Sequence, residues 1–416
     1  MGELDGSHSG RYDVVVFGAT GVLGRQVARR IGERVGRTAS VRWAIAGRDE
    51  RCLHELRSSL PRVGVVVADA RDERAVDSLA RKAAVVVNLT APYAVHGEVL
   101  VRACVRSGTD YLDATAETAH VRRMIDRYHS TATCSGARIV PCCGFDSAPS
   151  DLGTLMIVDA LRKRQRETRE VRAFYRGLAG LNPGTITTAV ELWRHPDDML
   201  AMQDPLLLDP PASRTAAERQ RNRDPAEPLY EPHLGRWVAP FPMSLINTRV
   251  VRRSRGLFAA RGEDYGRGFR YQEYWDPGGP GSIFGAATAT GMQALARSLS
   301  FVPGAGLAVA PLAAILRRAG APERPLREGF FRLLLLGVAN DGFRMWGEIR
   351  ACGDPSNDIS ARILCEAALC LAEERVNTGR TVGEGGVLTP ATALGLPLLG
   401  RLKRSGIEVE CPAIRA

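Results

Sequence analysis

Residues 13–24 read DVVVFGATGVLG, and this stretch decides the fold. Asp13–Phe17 is a continuous run of mostly β-branched side chains, the pattern of a strand buried on both faces. Gly18, Gly21 and Gly24 follow at once, and helix formers continue to Val35. Strand, glycine turn and helix in this order build a phosphate-binding turn. Gly18 permits the sharp exit from the strand. Gly21 lets backbone approach a pyrophosphate at the helix N-terminus, and Gly24 allows close helix–strand packing. Thr20 and Val22 complete the candidate contact set of the turn.

Outward from this stretch, short apolar runs alternate with helical ones. Val41–Ala46, Val63–Ala68, Ala84–Leu89, Tyr111–Ala114 and Ala137–Cys142 read as strands, with helices over Gly97–Arg106 and Ala119–Ala132. The alternation predicts an α/β domain over residues 12–150, a Rossmann-type doubly wound parallel sheet. Residues 1–11, polar and glycine-rich, read as a flexible tail without a secretory signal. After Gly144 the strands Val171–Tyr175, Phe269–Tyr274, Gly329–Leu336 and Phe343–Arg350 come at longer intervals. They predict a second, α+β domain over 151–354 with an antiparallel sheet, and Pro205–Pro240 reads as surface loops. Residues 355–416 read as a C-terminal helical segment. It holds an amphipathic helix over Asp358–Val376 and a helix start at Thr389-Pro390.

Composition narrows the function. The formal charge of the 416 residues is +10, but 53 of the 56 basic residues are arginines scattered along the whole length. Such scatter does not make a phosphate-tracking stripe, so nucleic acid is not the expected partner. The nine cysteines form no CxxC and no zinc spacing, and they read as reduced core residues of a cytoplasmic protein. No Ser-His-Asp or metal-ligating constellation is present, which disfavours hydrolysis and metal catalysis. Residues 283–316 are unusually apolar. Leu299–Leu316 approaches the roughly 20 residues of a membrane span, but Pro303, Gly304, Gly306 and Pro311 interrupt it. A buried or interfacial hairpin beside an apolar substrate is expected, with peripheral membrane contact left open.

The second strand ends Ala46-Gly47-Arg48-Asp49. A guanidinium there accommodates the 2′-phosphate of NADP, whereas an acid would bond the 2′-hydroxyl of NAD. Arg48 comes first, so the expected cofactor is NADPH, with Asp49 the competing signal. Substrate should lie beyond the carboxyl ends of the strands. Three loops meet that requirement: 88–93, 113–117 and 144–151. Asn88, Thr90 and Pro92 are placed to line the nicotinamide ribose. Tyr93 is the leading proton donor, since a phenol stays protonated at neutral pH; the alternative is an aromatic packed under the next helix. Asp146 is the second catalytic candidate, against a reading in which Asp146 or Ser147 caps a helix and Asp151 favours its dipole. Asp113 and Glu117 could likewise be a capping pair, and His96 reads as a helix-start residue.

Several segments together carry a resemblance. GATGVLG, AGR (46–48), NLTAPY (88–93), GTDYLDATAE (108–117) and GFDSAPSD (144–151) resemble the saccharopine dehydrogenase-like oxidoreductases. INTRVVRRS (246–254), GDPSNDISARILCEAALCLA (353–372) and GVLTPATALG (386–395) are similar to the bacterial trans-acting enoyl reductases of that family. The resemblance implies a dinucleotide-binding domain, an inserted α+β domain and a C-terminal segment returning to the first. It also implies NADPH-dependent saturation of a carbon–carbon double bond on a polyketide or lipid chain, built by a separate synthase and borne on a carrier protein. Ala91 stands where that family commonly has glycine. Two other functions remain in play: an imine-reducing dehydrogenase of the saccharopine or opine type, and a non-catalytic NADP-binding, lipid-associated protein.

Overall fold

The computed structural model describes residues 11–38, 41–178, 195–211, 214–279, 281–300, 329–378 and 384–413. Its strands, in chain order, are β1 (Tyr12–Phe17), β2 (Trp43–Gly47), β3 (Val63–Val67), β4 (Ala83–Asn88), β5 (Asp110–Asp113), β6 (Arg138–Val140), β7 (Thr168–Leu178), β8 (Leu229–Glu231), β9 (Arg236–Pro240), β10 (Arg270–Trp275), β11 (Phe330–Ala339), β12 (Arg344–Cys352), β13 (Gly386–Val387) and β14 (Glu408–Ala413). The chain divides into two compact units. The first comprises residues 1–115, 124–143 and 360–388; the second comprises 116–123, 144–359 and 389–416.

The first unit is a parallel sheet in the order β13-β6-β5-β4-β1-β2-β3. Val14, Val15 and Val16 of β1 and Val85, Val86 and Val87 of β4 are wholly buried, as a sheet covered by helices on both faces requires. Strand order reverses between β1 and β4, where Phe17 pairs with Asn88. That reversal is the position at which open α/β sheets bind ligands.

Helix Ser360–Thr378 belongs to this unit and packs on helix Val22–Thr38 and on β1, β4 and β5. The amphipathic reading is corrected: Ile363–Ala372 is buried all round, Glu366 included. Its charges are tolerated because they are paired. Arg34 meets Glu366 at 2.9 Å, Arg138 meets Glu374 at 2.6 Å, and Arg375 meets the wholly buried Asp110 at 3.2 Å.

The second unit is built on a sheet in the order β14-β12-β11-β7-β10-β9-β8. The expected antiparallel sheet is mixed, because β7 and β10 run parallel while the pairs flanking them are antiparallel. A parallel pair needs a long crossover, and residues 179–269 provide it. Within that crossover, Pro205–Pro240 is not all loop. It contains helix Ala216–Arg221, strand β9 and the edge strand β8, and it buries Leu206, Leu208, Val238 and Ala239.

The expected 355–416 segment divides: 360–388 lie in the first unit, while β14 pairs with β12 in the second. Thr389 caps helix Pro390–Ala393 with a reciprocal Thr389–Thr392 capping box. Of the apolar segment 283–316, helix Ser282–Ser300 covers the start, and residues 301–316 lie outside the described residues, as do residues 1–10. No helix among the described residues is long and apolar enough to cross a membrane. Among the described cysteines, Cys134 and Cys352 are exposed, which corrects the core reading for those two.

Candidate active site

The glycine turn is built as its sequence requires. Gly18 has φ +84°, and a Cβ there would lie 2.9 Å from the Leu89 carbonyl carbon. A Cβ on Gly24 would overlap the Gly18 carbonyl oxygen and come within 2.8 Å of Ala19 Cα. Gly18 and Ala19 N–H groups both donate to Ala46 O, at 2.9 and 3.1 Å, and Leu89 N–H donates to Phe17 O at 2.8 Å. The turn is thereby tied to the ends of β2 and β4. Gly21 and Val22 are exposed and Thr20 is half-buried, its carbonyl held by Arg25 Nε at 3.0 Å. Helix Val22–Thr38 carries no acid in its first turn. An exposed helix N-terminus without a competing carboxylate fits a pyrophosphate.

Arg48 is exposed at the carboxyl end of β2. Asp49, the competing signal for NAD, is engaged elsewhere. It N-caps helix Glu50–Arg57, its Oδ1 accepting from Cys52 N–H at 3.0 Å. That bond holds its carboxyl below the usual range. At the neighbouring strand end Asp69 accepts from Arg71 at 2.7 Å. Hydrogen bonding to Arg71, with a smaller contribution from Arg48, holds Asp69 well below the usual carboxylate range. A basic surface with its acids engaged is the arrangement a 2′-phosphate needs.

Loop 88–93 is organised from below. Asn88, wholly buried, donates through Nδ2 to Tyr111 Oη at 3.0 Å and accepts through Oδ1 from Thr90 N–H at 3.1 Å and Thr90 Oγ1 at 2.6 Å. Tyr111 donates in turn to Asp113 Oδ2 at 2.8 Å, and Asp113 Oδ1 accepts from Thr115 N–H and Cys142 N–H. The chain Asn88–Tyr111–Asp113 thus fixes three adjacent strand ends. Sequence reading does not single out Tyr111, because an aromatic inside a strand carries no signal beyond packing. Pro92 precedes helix Tyr93–Ser107. Tyr93, its first residue, is only 5% exposed, and His96 is half-buried in the same helix.

Asp146 belongs to the second unit, at the start of helix Ala148–Arg162. It is half-buried, and desolvation pushes its carboxyl up to about 6. The capping reading of its neighbours is corrected. Ser147 sits at the N-cap position, yet its hydroxyl donates to Asn247 Oδ1 at 2.9 Å rather than to its own helix. Asp151 is wholly buried and accepts from Ser254 Oγ at 2.5 Å and Ala391 N–H at 2.7 Å. Burial outweighs these bonds and pushes it up to about 7.

A buried polar cluster centred on Glu273 joins Ser150 of GFDSAPSD and Asn247 of INTRVVRRS, and the sequence reading assigned neither residue a role in it. Its Oε1 accepts from Ser150 Oγ at 2.5 Å and Tyr271 Oη at 2.6 Å, and its Oε2 from Asn247 Nδ2 at 3.0 Å. Ser150 Oγ also meets Tyr175 Oη at 2.7 Å. Burial pushes Glu273 up to about 7, although all three donors pull the other way. A carboxyl whose folded pKa exceeds its unfolded value is most stabilising below the unfolded value, and that stability is lost as pH rises toward the folded one. Relative to the wild type, Glu273→Gln is therefore expected to gain roughly 1–3 kcal/mol between about pH 4.5 and 7.5. Denaturant unfolding across that range checks it; a flat difference would mean that Glu273 is ionised in the fold.

Comparison with known proteins agrees with this geometry. Residues 14–140 match the saccharopine dehydrogenase NADP binding domain family. A Mycobacterium tuberculosis protein named as a candidate trans-acting enoyl reductase is 34% identical over 425 residues, covering 96% of this chain and 97% of its own. A trans-acting enoyl reductase of Mycobacterium ulcerans is 31% identical, covering 96% of this chain and 97% of its own. Saccharopine dehydrogenase (L-Glu forming) from Saccharomyces cerevisiae shares the fold at 11% identity, with a TM-score of 0.52 over 96% of this chain and 99% of its own. The chain is thus an NADP-dependent oxidoreductase, and it belongs to the trans-acting enoyl reductases of the saccharopine dehydrogenase-like family.

Proposed function

We propose that this chain reduces a carbon–carbon double bond conjugated to the carbonyl of an acyl or polyketide chain, with NADPH as reductant and a separate synthase supplying the chain on a carrier. The observation that carries the reading is the similarity, over nearly the full length, to proteins named trans-acting enoyl reductase. The glycine turn and the free helix N-terminus support it from the cofactor side.

When bound, NADPH supplies a hydride for the β-carbon of the double bond. In this reading Gly18 and Gly24 shape the turn, Thr20, Gly21 and Val22 present the helix N-terminus to the pyrophosphate, and Arg48 pairs with the 2′-phosphate. Asn88 is spent on Tyr111 and Thr90, so it shapes the loop that, with Thr90 and Pro92, lines the nicotinamide ribose. Tyr93 and Asp146 are the two candidate proton sources. A phenol donates to the enolate-like oxygen while remaining neutral at pH 7, and a carboxyl raised to about 6 is protonated often enough to deliver the α-proton. Exposed Phe284 and Met292 on helix Ser282–Ser300 support peripheral contact with a membrane or with the synthase.

The test is NADPH consumption with 2-enoyl thioesters of several chain lengths, beside lysine plus a 2-oxo acid as the imine-forming pair. Oxidation with the enoyl series alone is expected. Oxidation with the amino-acid pair alone would overturn the reading.

A further inference from the structure

The second unit contains two adjoining cavities that the proposed reduction leaves unassigned. One, of about 350 Å³, is mainly apolar: Met199, Pro240, Phe241, Leu245 and Ala294 are among the described residues that line it. The other, of about 900 Å³, is polar and is bordered by Arg219, Arg223 and Arg270. Gln203, Asp224, Pro225 and Ala226 line both, so the two share a wall.

Three observations say what would occupy them. First, one wall of the apolar cavity is an aromatic group that also packs under the loop carrying Asp146. Phe241 stacks on Tyr175 with centroids 4.5 Å apart, and Phe145 packs edge-on against Tyr175 at 6.2 Å. Second, positive charge is in excess at the polar end. Arg223 is exposed, and Arg270 reaches Glu170 only at 3.8 Å. Arg219 is bound to Asp204. Of the two bordering acids, Asp224 is held by the buried Arg249 at 2.5 Å, and Glu227 is exposed. Third, Gln203 Oε1 at the shared wall is buried without a hydrogen-bond partner. A buried acceptor left unpaired costs free energy that a ligand N–H removes.

We infer that these cavities together form the binding site for an acyl thioester on a phosphorylated pantetheine arm. The aliphatic chain fills the apolar cavity, an arm amide N–H reaches Gln203 Oε1, and the phosphate lies toward Arg223. This assignment deepens the proposed function and rests on it for the chemistry of the chain. The motif INTRVVRRS finds its use here. Arg249 donates to Met202 O at 2.9 Å, Arg252 to Pro205 O at 2.8 Å and Arg253 to Leu208 O at 3.0 Å. The three arginines thereby staple the segment carrying Gln203 to helix Ser244–Ala260.

The test is calorimetric titration of the full chain with saturated acyl-CoA esters from butyryl to palmitoyl, which bind but cannot be reduced. Affinity is expected to rise by up to about fourfold per added methylene until the cavity is full. Ala294 is exposed on its helix, so Ala294→Trp fills the cavity without entering the core. This variant should bind the butyryl ester as the wild type does and lose at least about tenfold on the longest chains. Arg223→Glu should weaken acyl-CoA and leave the phosphate-free acyl-pantetheine unchanged. The same chain on a carrier domain, if bound more tightly than the CoA ester, identifies a protein-borne arm as the source; equal binding identifies the free ester. Affinity independent of chain length, or unaltered by Ala294→Trp, would overturn the assignment. Because these titrations need no turnover, they succeed or fail separately from the enoyl assay. Chain-length-dependent binding without reduction would leave the cavities assigned and remove the proposed reaction.

Discussion

Replacing Asp110 with alanine is expected to lower the unfolding free energy by about 3–5 kcal/mol, the usual cost of stripping one partner from a buried ion pair. Asp110 is wholly buried at the start of β5. It accepts from Arg138 N–H at 2.9 Å, meets the Arg138 guanidinium at 2.9 Å, and meets Arg375 at 3.2 Å. Arg375 comes from helix Ser360–Thr378 and also donates to Ala84 O and Gly108 O, each at 3.0 Å. Without the carboxylate, two poorly solvated guanidinium groups would face each other where the returning helix meets the sheet. Arg102→Ala is the control. Its pair with Glu73 is largely exposed at 2.8 Å and should cost less than about 1 kcal/mol. Urea unfolding of both variants checks the contrast; equal costs would show that Asp110 does not hold the helix to the sheet.

Arg48→Ala is expected to weaken NADPH binding between about 30- and 300-fold while changing NADH binding by less than about threefold. If Arg48 holds the 2′-phosphate as proposed, the loss follows from removing a charge-assisted contact to a group that NADH lacks. Asp49 does not become a surrogate for NAD, because its carboxylate remains committed to Cys52 N–H. Parallel titrations of the variant with both nucleotides read the ratio directly. Equal weakening of the two would place the 2′-phosphate elsewhere, with the Asp69–Arg71 pair beside Arg48 as the alternative position.

Legibility in the sequence followed the range of the interactions. β1, the glycine turn and the helix after it could be read because strand burial, a positive φ at Gly18 and close packing at Gly24 all act within twelve residues. Arg48 could be named as a candidate for the same reason, being a fixed offset from a strand end. The Glu273 cluster was not, since Ser150, Tyr175, Asn247 and Glu273 meet only after the second sheet has formed. Ser150 and Asn247 lie in motifs that carry the family resemblance, but nothing within either motif points to Glu273. Helix Ser360–Thr378 misled in a different way: Glu366 and Arg375 look like solvated positions until Arg34 and Asp110, far away in sequence, neutralise them. The parallel pairing of β7 with β10 was hidden by the length of its crossover. Short edge strands such as β8 are set by their neighbours rather than by local alternation.

The most direct measurement uses NADPH deuterated at C4 of the nicotinamide, turned over with a 2-enoyl thioester, the product being read by mass spectrometry. One deuterium at the β-carbon of the saturated thioester is the expected result, and with solvent deuterium and unlabelled NADPH the label should appear at the α-carbon instead. A saturated product with no deuterium from the nucleotide, or labelled nucleotide left intact beside every enoyl substrate, would contradict it.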